Sequence, residues 1–585
     1  MDSASKDGFH LKLWRGERMC LIGMDVDAPE PDFVGFAIEV LHPGGTEFAP
    51  LRNRLAFSYP AGSKVNGDVQ FPSTEAPFQK FRWVHFPYDP IDGLYSYRVT
   101  KMHMPAEGPL VAGTQLVATI NLNPVTHPGF LDIGFTRAFA SSQAYRDKFG
   151  NRADILPATN AVGLNFSPPF DPSAASDANP YTWLGFEAAA MVQSLVDEAV
   201  ADPTLTVDFF AYDLNLGWLV DRLEKLGPRL RAVIDDSPKD HNQPDGAEGE
   251  ASVRLLASTG GQVVRMHFKG LQHNKVIILR RNGVAQRVLL GSTNFSYRGF
   301  YIQANNALLF SDPDIAGLFG DYFDAAFHQP ETFSASEMAR KWYAFTTPGK
   351  PIVQIALSPH SDKEIGLSPV GAAIDQATSS VFFSIAFLNQ TKSGSVRTAI
   401  DRLATRPLFS YGVVDKASAE PKPGAEAKPS RLDVYKPDGT IGVVDFGYLA
   451  KNAPPPFGAE WQGGKGINLH NKFVVTDFGL PTAKVFTGSS NLSPSGEGGN
   501  GDHLVMIQDP IVATAYAIEA VRLFDHLHFR SKMKDAKVKP KGAKPAEATP
   551  LTLGKPTALS GKPAWFERYY RADSQYLRDR LLFGH

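Results

Sequence analysis

At 585 residues the chain exceeds what one hydrophobic core can hold, so several structural units are expected. Its 43% hydrophobic and 21% charged residues are those of an ordinary globular protein, and a formal net charge of -2 gives no global electrostatic footprint for nucleic acid. Cys20 is the only cysteine, which excludes a disulfide framework, cysteine zinc sites and thiol chemistry as a main theme.

The start, MDSASKDGFHLKLWR, has neither the apolar centre nor the small-residue cleavage site of a secretory signal. No stretch approaches the roughly 18 apolar residues that span a bilayer. A cytoplasmic protein is the expectation, although an unconventional export route would leave no mark here.

From about residue 10 to 125 the chain reads as short alternating strands between Gly, Pro and Asn turns: Phe33–Leu41, Gln79–His85, Tyr95–Met102 and Gln115–Asn121. Strands this dense, without helical periodicity, predict an all-β sandwich over 1–125. The pieces APFQKFRW and GLYSYRVT resemble a fibronectin type III module, which implies a docking or spacer role. Residues 126–180, rich in Pro, Ser, Ala and Asn, are expected to be a connector on the surface.

Beyond 180 the pattern changes. Helical stretches (Leu184–Ala199, Leu216–Leu226) alternate with apolar runs (Val207–Tyr212, Leu230–Ile234), the mark of an α/β domain. The order recurs: Val381–Leu388 (VFFSIAFL) parallels Val207–Leu214 (VDFFAYDL), and Tyr411–Val414 parallels Leu230–Ile234. The expected divisions are repeat one over 181–345, repeat two over 346–531, and a linker with a terminal helix over 532–585, the helix falling around Trp565–Leu582. A Lys/Pro/Ala insertion at Ala417–Ser430 reads as a disordered loop, and Lys532–Lys555 as a similar spacer.

Within this frame a motif occurs twice. Copy one has His273-Asn274-Lys275 and then Gly291-Ser292-Thr293-Asn294; copy two has His470-Asn471-Lys472 and then Gly488-Ser489-Ser490-Asn491. In both, Lys follows His by 2, Ser by 19 and Asn by 21, and a further matched position lies at 32, Asn305 in one copy and Asp502 in the other. His267-Phe268-Lys269 is also His-x-Lys, but it lies off the shared spacing and reads as structural. One such strand and loop alone would be unremarkable; two in register within matched repeats are specific.

On a strand, i and i+2 face one side, so His and Lys of each copy point together. Two lysines, two serine hydroxyls and two asparagine amides make a ready clamp for the charge that grows on the oxygens of a reacting phosphodiester. No Asp/Glu/His spacing suggests a metal site, and no cofactor is expected.

The paired His-x-Lys and Gly-Ser-x-Asn elements resemble the phospholipase D superfamily, over roughly residues 180–530. The resemblance implies two mixed-sheet domains related by a pseudo-two-fold, and catalysis through a phosphohistidine. The family's Asp five after Lys is present as Asp477 but replaced by Arg280 in copy one; it is usually structural, so activity should survive. The family residue at the 32 position hydrogen-bonds an imidazole. Assigning Asp502 to His470 and Asn305 to His273 makes His273 the expected nucleophile and His470 the general acid and base. His503 and Asn306 should face away from the site, Glu497 and Asn500 lie in a loop that could border it, and Trp461 and Lys465 could line its entrance.

The leading expectation is a phosphodiester hydrolase acting on phospholipid, with transfer to an alcohol as a companion reaction and transient contact with a membrane surface. A metal-independent nuclease and a non-catalytic phosphate-binding module are the rivals. Both half-sites lie in one chain, so a monomer suffices.

Overall fold

The computed structural model describes the whole chain except residues 1, 60–68, 124–125, 139–141, 159–162, 239–240, 404, 417–430, 437–440, 446–459, 462, 465, 467, 536–550 and 573. The predicted loop at Ala417–Ser430, Lys465 and most of Lys532–Lys555 lie outside the described residues. The chain divides into two compact units. One comprises Met1–Pro124, Tyr448–Glu460 and Val521–His585; the other comprises Val125–Gly447 and Trp461–Ala520.

The first unit carries two four-stranded antiparallel sheets. Asp2–Lys6, Phe9–Arg15, Cys20–Val26 and Arg82–His85 form one; Val111–Asn121, Leu94–His103, Phe33–Leu41 and Ala49–Pro50 form the other. Alternation along Phe9–Arg15 buries Phe9, Leu11 and Leu13 in a core shared with Phe36, Tyr95, Tyr97 and Phe81. The end of the chain joins this unit. Instead of one helix around Trp565–Leu582 there is a short 3₁₀ turn, Glu567–Tyr569, and a separate helix, Gln575–Gly584. Ser574 explains the break, because its side chain caps the second helix by accepting from the Tyr576 N–H. That helix lies so close to Cys20–Val26 that a Cβ at Gly23 would stand 1.9 Å from the Phe583 carbonyl.

The second unit contains two α/β repeats. The first is a seven-stranded sheet in the order Leu131–Phe135, Asn306–Phe310, Val284–Gly291, Val276–Arg281, Leu205–Ala211, Leu230–Asp235, Val263–Met266. The second is a nine-stranded sheet in the order Tyr343–Phe345, Ile352–Ser358, Asp502–Gln508, Lys484–Gly488, Lys472–Thr476, Ser380–Ile385, Phe409–Lys416, Arg431–Tyr435, Ile441–Asp445. Central runs such as Val276–Leu279 are buried throughout, as expected of strands covered on both faces.

The mixed α/β class anticipated from the sequence is the observed one. The surface connector expected over 126–180 needs correction. Leu131–Phe135 pairs antiparallel with Asn306–Phe310, in the place that Ile352–Ser358 takes beside Asp502–Gln508. Five residues, all but Asp132 buried, carry too weak a strand signal to be seen in the sequence. Helix starts, by contrast, follow local chemistry: Asp312 caps Pro313–His328 and Asn179 caps Pro180–Ala201, each with proline in the first turn.

Candidate active site

Each histidine motif sits at the entry to a central strand, Val276–Arg281 in repeat one and Lys472–Thr476 in repeat two. An acid at or next to the end of the strand one further out, Leu230–Asp235 or Phe409–Lys416, holds each approach. Asp235 accepts from the Gln272 N–H at 2.6 Å, and Asp415 accepts from the Asn468 and Leu469 N–H groups at 2.8 and 3.0 Å.

Backbone pairing then crosses between repeats. The His273 N–H donates to the Gly501 carbonyl at 2.8 Å, and the His470 N–H donates to the Ala304 carbonyl at 3.0 Å. Gly501 and Ala304 immediately precede Asp502 and Asn305. Each imidazole is therefore delivered to the other repeat's residue at the 32 position. His273 Nδ1 lies 2.7 Å from Asp502 Oδ1, and His470 Nδ1 lies 3.1 Å from both Asn305 Oδ1 and the Ser292 carbonyl. The within-repeat pairing read from the sequence is thus reversed: Asp502 supports His273, and Asn305 supports His470. Equal spacing in the two copies could not reveal which copy lies opposite which.

The serines complete a reciprocal figure. Ser489 donates to Asp502 Oδ1 at 2.6 Å, and Ser292 donates to Asn305 Oδ1 at 2.9 Å. Because carboxylate and carbonyl oxygens only accept, both imidazoles carry hydrogen on Nδ1 and keep Nε2 for chemistry. The two rings face each other with centroids 6.5 Å apart at an angle of 71°. Lys275 donates to the His273 carbonyl; Lys472 donates to the His470 carbonyl at 2.8 Å and lies 3.1 Å from His470 Nε2. His273, Lys275, Ser292, Asn294, Asn305, His470, Lys472, Ser489 and Asp502 are buried, and Asn491 is half-buried.

Four basic side chains in one dry place weaken each other's charge. Burial, then Lys275, lowers the His273 pKa, with Asp502 opposing. Burial, then Lys472, Lys275 and His273, drives His470 well below the usual imidazole range. Burial also brings Lys275 down to about 8, and burial with the charge of Lys275 takes Lys472 well down. For Asp502 burial works upward, but His273, Lys275 and Ser489 outweigh it and hold the carboxyl low. The site is poised to gain an anion.

Other sequence expectations divide. His503 and Asn306 do turn aside, yet both are buried in polar contacts that cross the repeats. His503 Nδ1 meets Asn274 Oδ1 at 2.9 Å while its Nε2 accepts from the Gly291 N–H at 3.2 Å, and Asn306 donates to Thr487 at 2.9 Å. Glu497 is buried, accepts from Ser490 and lies 3.4 Å from His360; Asn500 accepts from the Leu271 N–H at 3.0 Å. Glu497 thus fastens the second Gly-Ser-x-Asn turn, and Asn500 fastens the approach to His273. Trp461 packs on Tyr145 at the edge of the repeat-one core. His267 pairs with Asp236 at 2.6 Å, near the surface.

The sequence reading missed Tyr212, Asp213 and His241. The Tyr212 ring meets His273 at 4.8 Å and His241 at 4.5 Å, with Lys275 Nζ 4.7 Å above it. Asp213, His241 and Glu248 bring potential metal-ligating atoms within 4.8 Å of one another. The discoverable signal was a mismatch between the copies, since Asp213 occupies the position of Phe387.

A family model described as "Cardiolipin synthase, PLD-like domain" matches residues 204–327. No curated protein matches the sequence. Among solved structures, the phospholipase D family member Nuc from Salmonella typhimurium is 22% identical, covering 23% of this chain and 87% of its own, with a TM-score of 0.20. Phosphatidylserine synthase from Haemophilus influenzae is 10% identical over 59% of this chain and 90% of its own, with a TM-score of 0.36. Yeast tyrosyl-DNA phosphodiesterase is 12% identical over 52% and 83%, with a TM-score of 0.29. Among the described residues no helix is long and apolar enough to cross a membrane. The family model over repeat one, and the same His-x-Lys and Gly-Ser-x-Asn elements in register in repeat two, support membership of the phospholipase D superfamily.

Proposed function

We propose that the protein cleaves phosphodiester bonds by a two-step reaction through His273, with phospholipid as the favoured substrate class. The observation that carries this is the pair of facing imidazoles, each with Nδ1 held by an acceptor from the opposite repeat and each beside a lysine. His273 Nε2 attacks phosphorus; the new P–N bond forms as the P–O bond to the leaving alcohol breaks, and His470 Nε2–H protonates the departing oxygen. His470 then takes a proton from water, or from a second alcohol, whose oxygen displaces His273 from phosphorus. Lys275, Lys472, Asn294 and Asn491 hold the non-bridging oxygens, while Ser292 and Ser489, whose hydroxyls donate to Asn305 and Asp502, fix the groups that hold the imidazoles.

The reversed pairing removes the basicity argument that the sequence suggested for these roles, and supplies another. A phosphorylated imidazole with hydrogen on Nδ1 is cationic, and Asp502, 2.7 Å away, offsets that charge as Asn305 could not. His470 is kept neutral in the empty site and gains its proton when the anionic diester arrives among the lysines. Phospholipid is preferred to nucleic acid because the chain has a net charge of only -2 and so no global basic footprint.

The test is turnover of bis(p-nitrophenyl) phosphate, phosphatidylcholine and single-stranded DNA in excess EDTA, beside His273→Ala and His470→Ala. EDTA-resistant lipid turnover abolished by either substitution is the expected result. Turnover of DNA but not lipid would overturn the substrate class alone. Activity surviving both substitutions would overturn the site.

A further inference from the structure

The segment after strand Leu205–Ala211 runs against the first Gly-Ser-x-Asn turn. Leu214 forms a parallel bridge with Phe295, the Asn215 N–H donates to the Phe295 carbonyl at 3.2 Å, and the Tyr297 N–H donates to Asn215 at 2.9 Å. That pairing places Asp213 beside Asn294, whose Nδ2 donates to Asp213 Oδ2 at 2.7 Å; Ser296 adds a weaker bond at 3.3 Å. The other carboxylate oxygen lies 3.2 Å from His241 Nε2, and His241 Nδ1 lies 2.9 Å from Asp235. Asp235 is the acid that also holds the approach to His273.

This cluster closes on itself. Glu248 Oε1 accepts from the Leu214 N–H at 2.8 Å, and Asp213 Oδ1 faces His241. The oxygens nearest His241 therefore already have partners, so the trio reads as a hydrogen-bonded relay and not as an open cation site.

Repeat two has no such relay, because Phe387 stands where Asp213 stands; the Oδ1 atoms of Asn294 and Asn491 are both buried without a hydrogen-bond partner, so the copies differ in the bond from Asn294 Nδ2 to Asp213. An asparagine amide can present either its oxygen or its nitrogen to a ligand, and only the nitrogen suits a phosphate. A carboxylate can only accept, so Asp213 fixes the orientation: Asn294 commits one N–H to it and keeps the second for the substrate.

We propose that Asp213, backed by His241 and Asp235, is a positioning residue that sets the amide of Asn294, making the first half-site a preorganised phosphate clamp and leaving the second without that constraint. The inference rests on the phosphodiesterase reading above. Its test is a double-mutant cycle on kcat for bis(p-nitrophenyl) phosphate with Asp213→Leu and Asn294→Ala, together with Asp213→Asn. Asp213→Leu should lower kcat by about 10²-fold, near the cost of losing one preorganised donor. The double variant should be no slower than Asn294→Ala. Asp213→Asn, which keeps an acceptor for Asn294, should recover to within about tenfold of wild type, the loss of charge costing little of what the bond itself supplies. Multiplying single losses in the double variant, or an Asp213→Asn variant as slow as Asp213→Leu, would overturn the proposal. A crystal structure of Asp213→Leu reads the same point without activity: the Asn294 amide should leave its wild-type position, and an unmoved amide would overturn the inference even if the enzyme turns over no tested diester.

Discussion

The two half-sites carry the same motif residues at the same intervals, yet their surroundings differ in kind. Behind His273 stand the Asp502 carboxylate, the Tyr212 ring and the Asp213–His241 pair. Behind His470 stand the neutral Asn305 amide, a backbone carbonyl and the Phe387 ring, 6.2 Å away. The motif residues are the same on both sides. The copies differ in what decides which imidazole carries positive charge, and under the proposed reaction that difference would let a nearly symmetric site act asymmetrically.

The sharpest way to break the comparison is to remove the two supports in turn. Asp502→Ala should lower kcat/KM by on the order of 10²-fold or more, because it frees the Nδ1 tautomer and uncovers the charge of the intermediate. Asn305→Ala should cost markedly less, since the Ser292 carbonyl still accepts from His470 Nδ1. Steady-state kinetics on the chromogenic diester read both; equal losses would contradict the asymmetry.

A pH profile comes next. Lys275 is charged below its pKa, which burial has brought to about 8, so kcat/KM of the free enzyme should fall as pH rises through about 8. Lys275→Arg should remove that limb, because a guanidinium stays charged across the range.

The seam between repeats predicts a stability effect. His503→Ala strands the Asn274 carbonyl and the Gly291 N–H and leaves a cavity, which should cost about 3 kcal/mol in urea denaturation. The smallest effect belongs to the position where the copies differ by Asp477 and Arg280. Asp477 accepts from the Thr378 and Ser379 N–H groups at 2.7 and 2.9 Å, a strand-end clasp far from the reacting atoms. Arg280 instead pairs with buried Asp208 at 2.6 Å, beside Arg231. Asp477→Ala should cost about 1 kcal/mol of stability and leave kcat unchanged.

The motif residues and the α/β alternation were legible because they are periodic: fixed intervals and continuous apolar strands survive in a single sequence. The exchange of Asp502 and Asn305 between histidines was not, because it depends on Gly501 and Ala304 pairing across repeats, a contact some 230 residues apart for His273 and Asp502. Leu131–Phe135 was hidden for a different reason: an edge strand contributed from far upstream has no local signal beyond five residues. Asp213 could have been found by asking where aligned copies disagree in charge.

The most direct test of the division of labour is a single-turnover reaction of His470→Ala and of His273→Ala with bis(p-nitrophenyl) phosphate, followed by mass mapping of the protein. p-Nitrophenolate leaves with little need of a proton, so His470→Ala should release one equivalent in a burst and hold a p-nitrophenyl phosphoryl group on His273, while His273→Ala shows neither. A burst and an adduct on His470 in the His273→Ala variant would contradict the account and exchange the roles of the two half-sites.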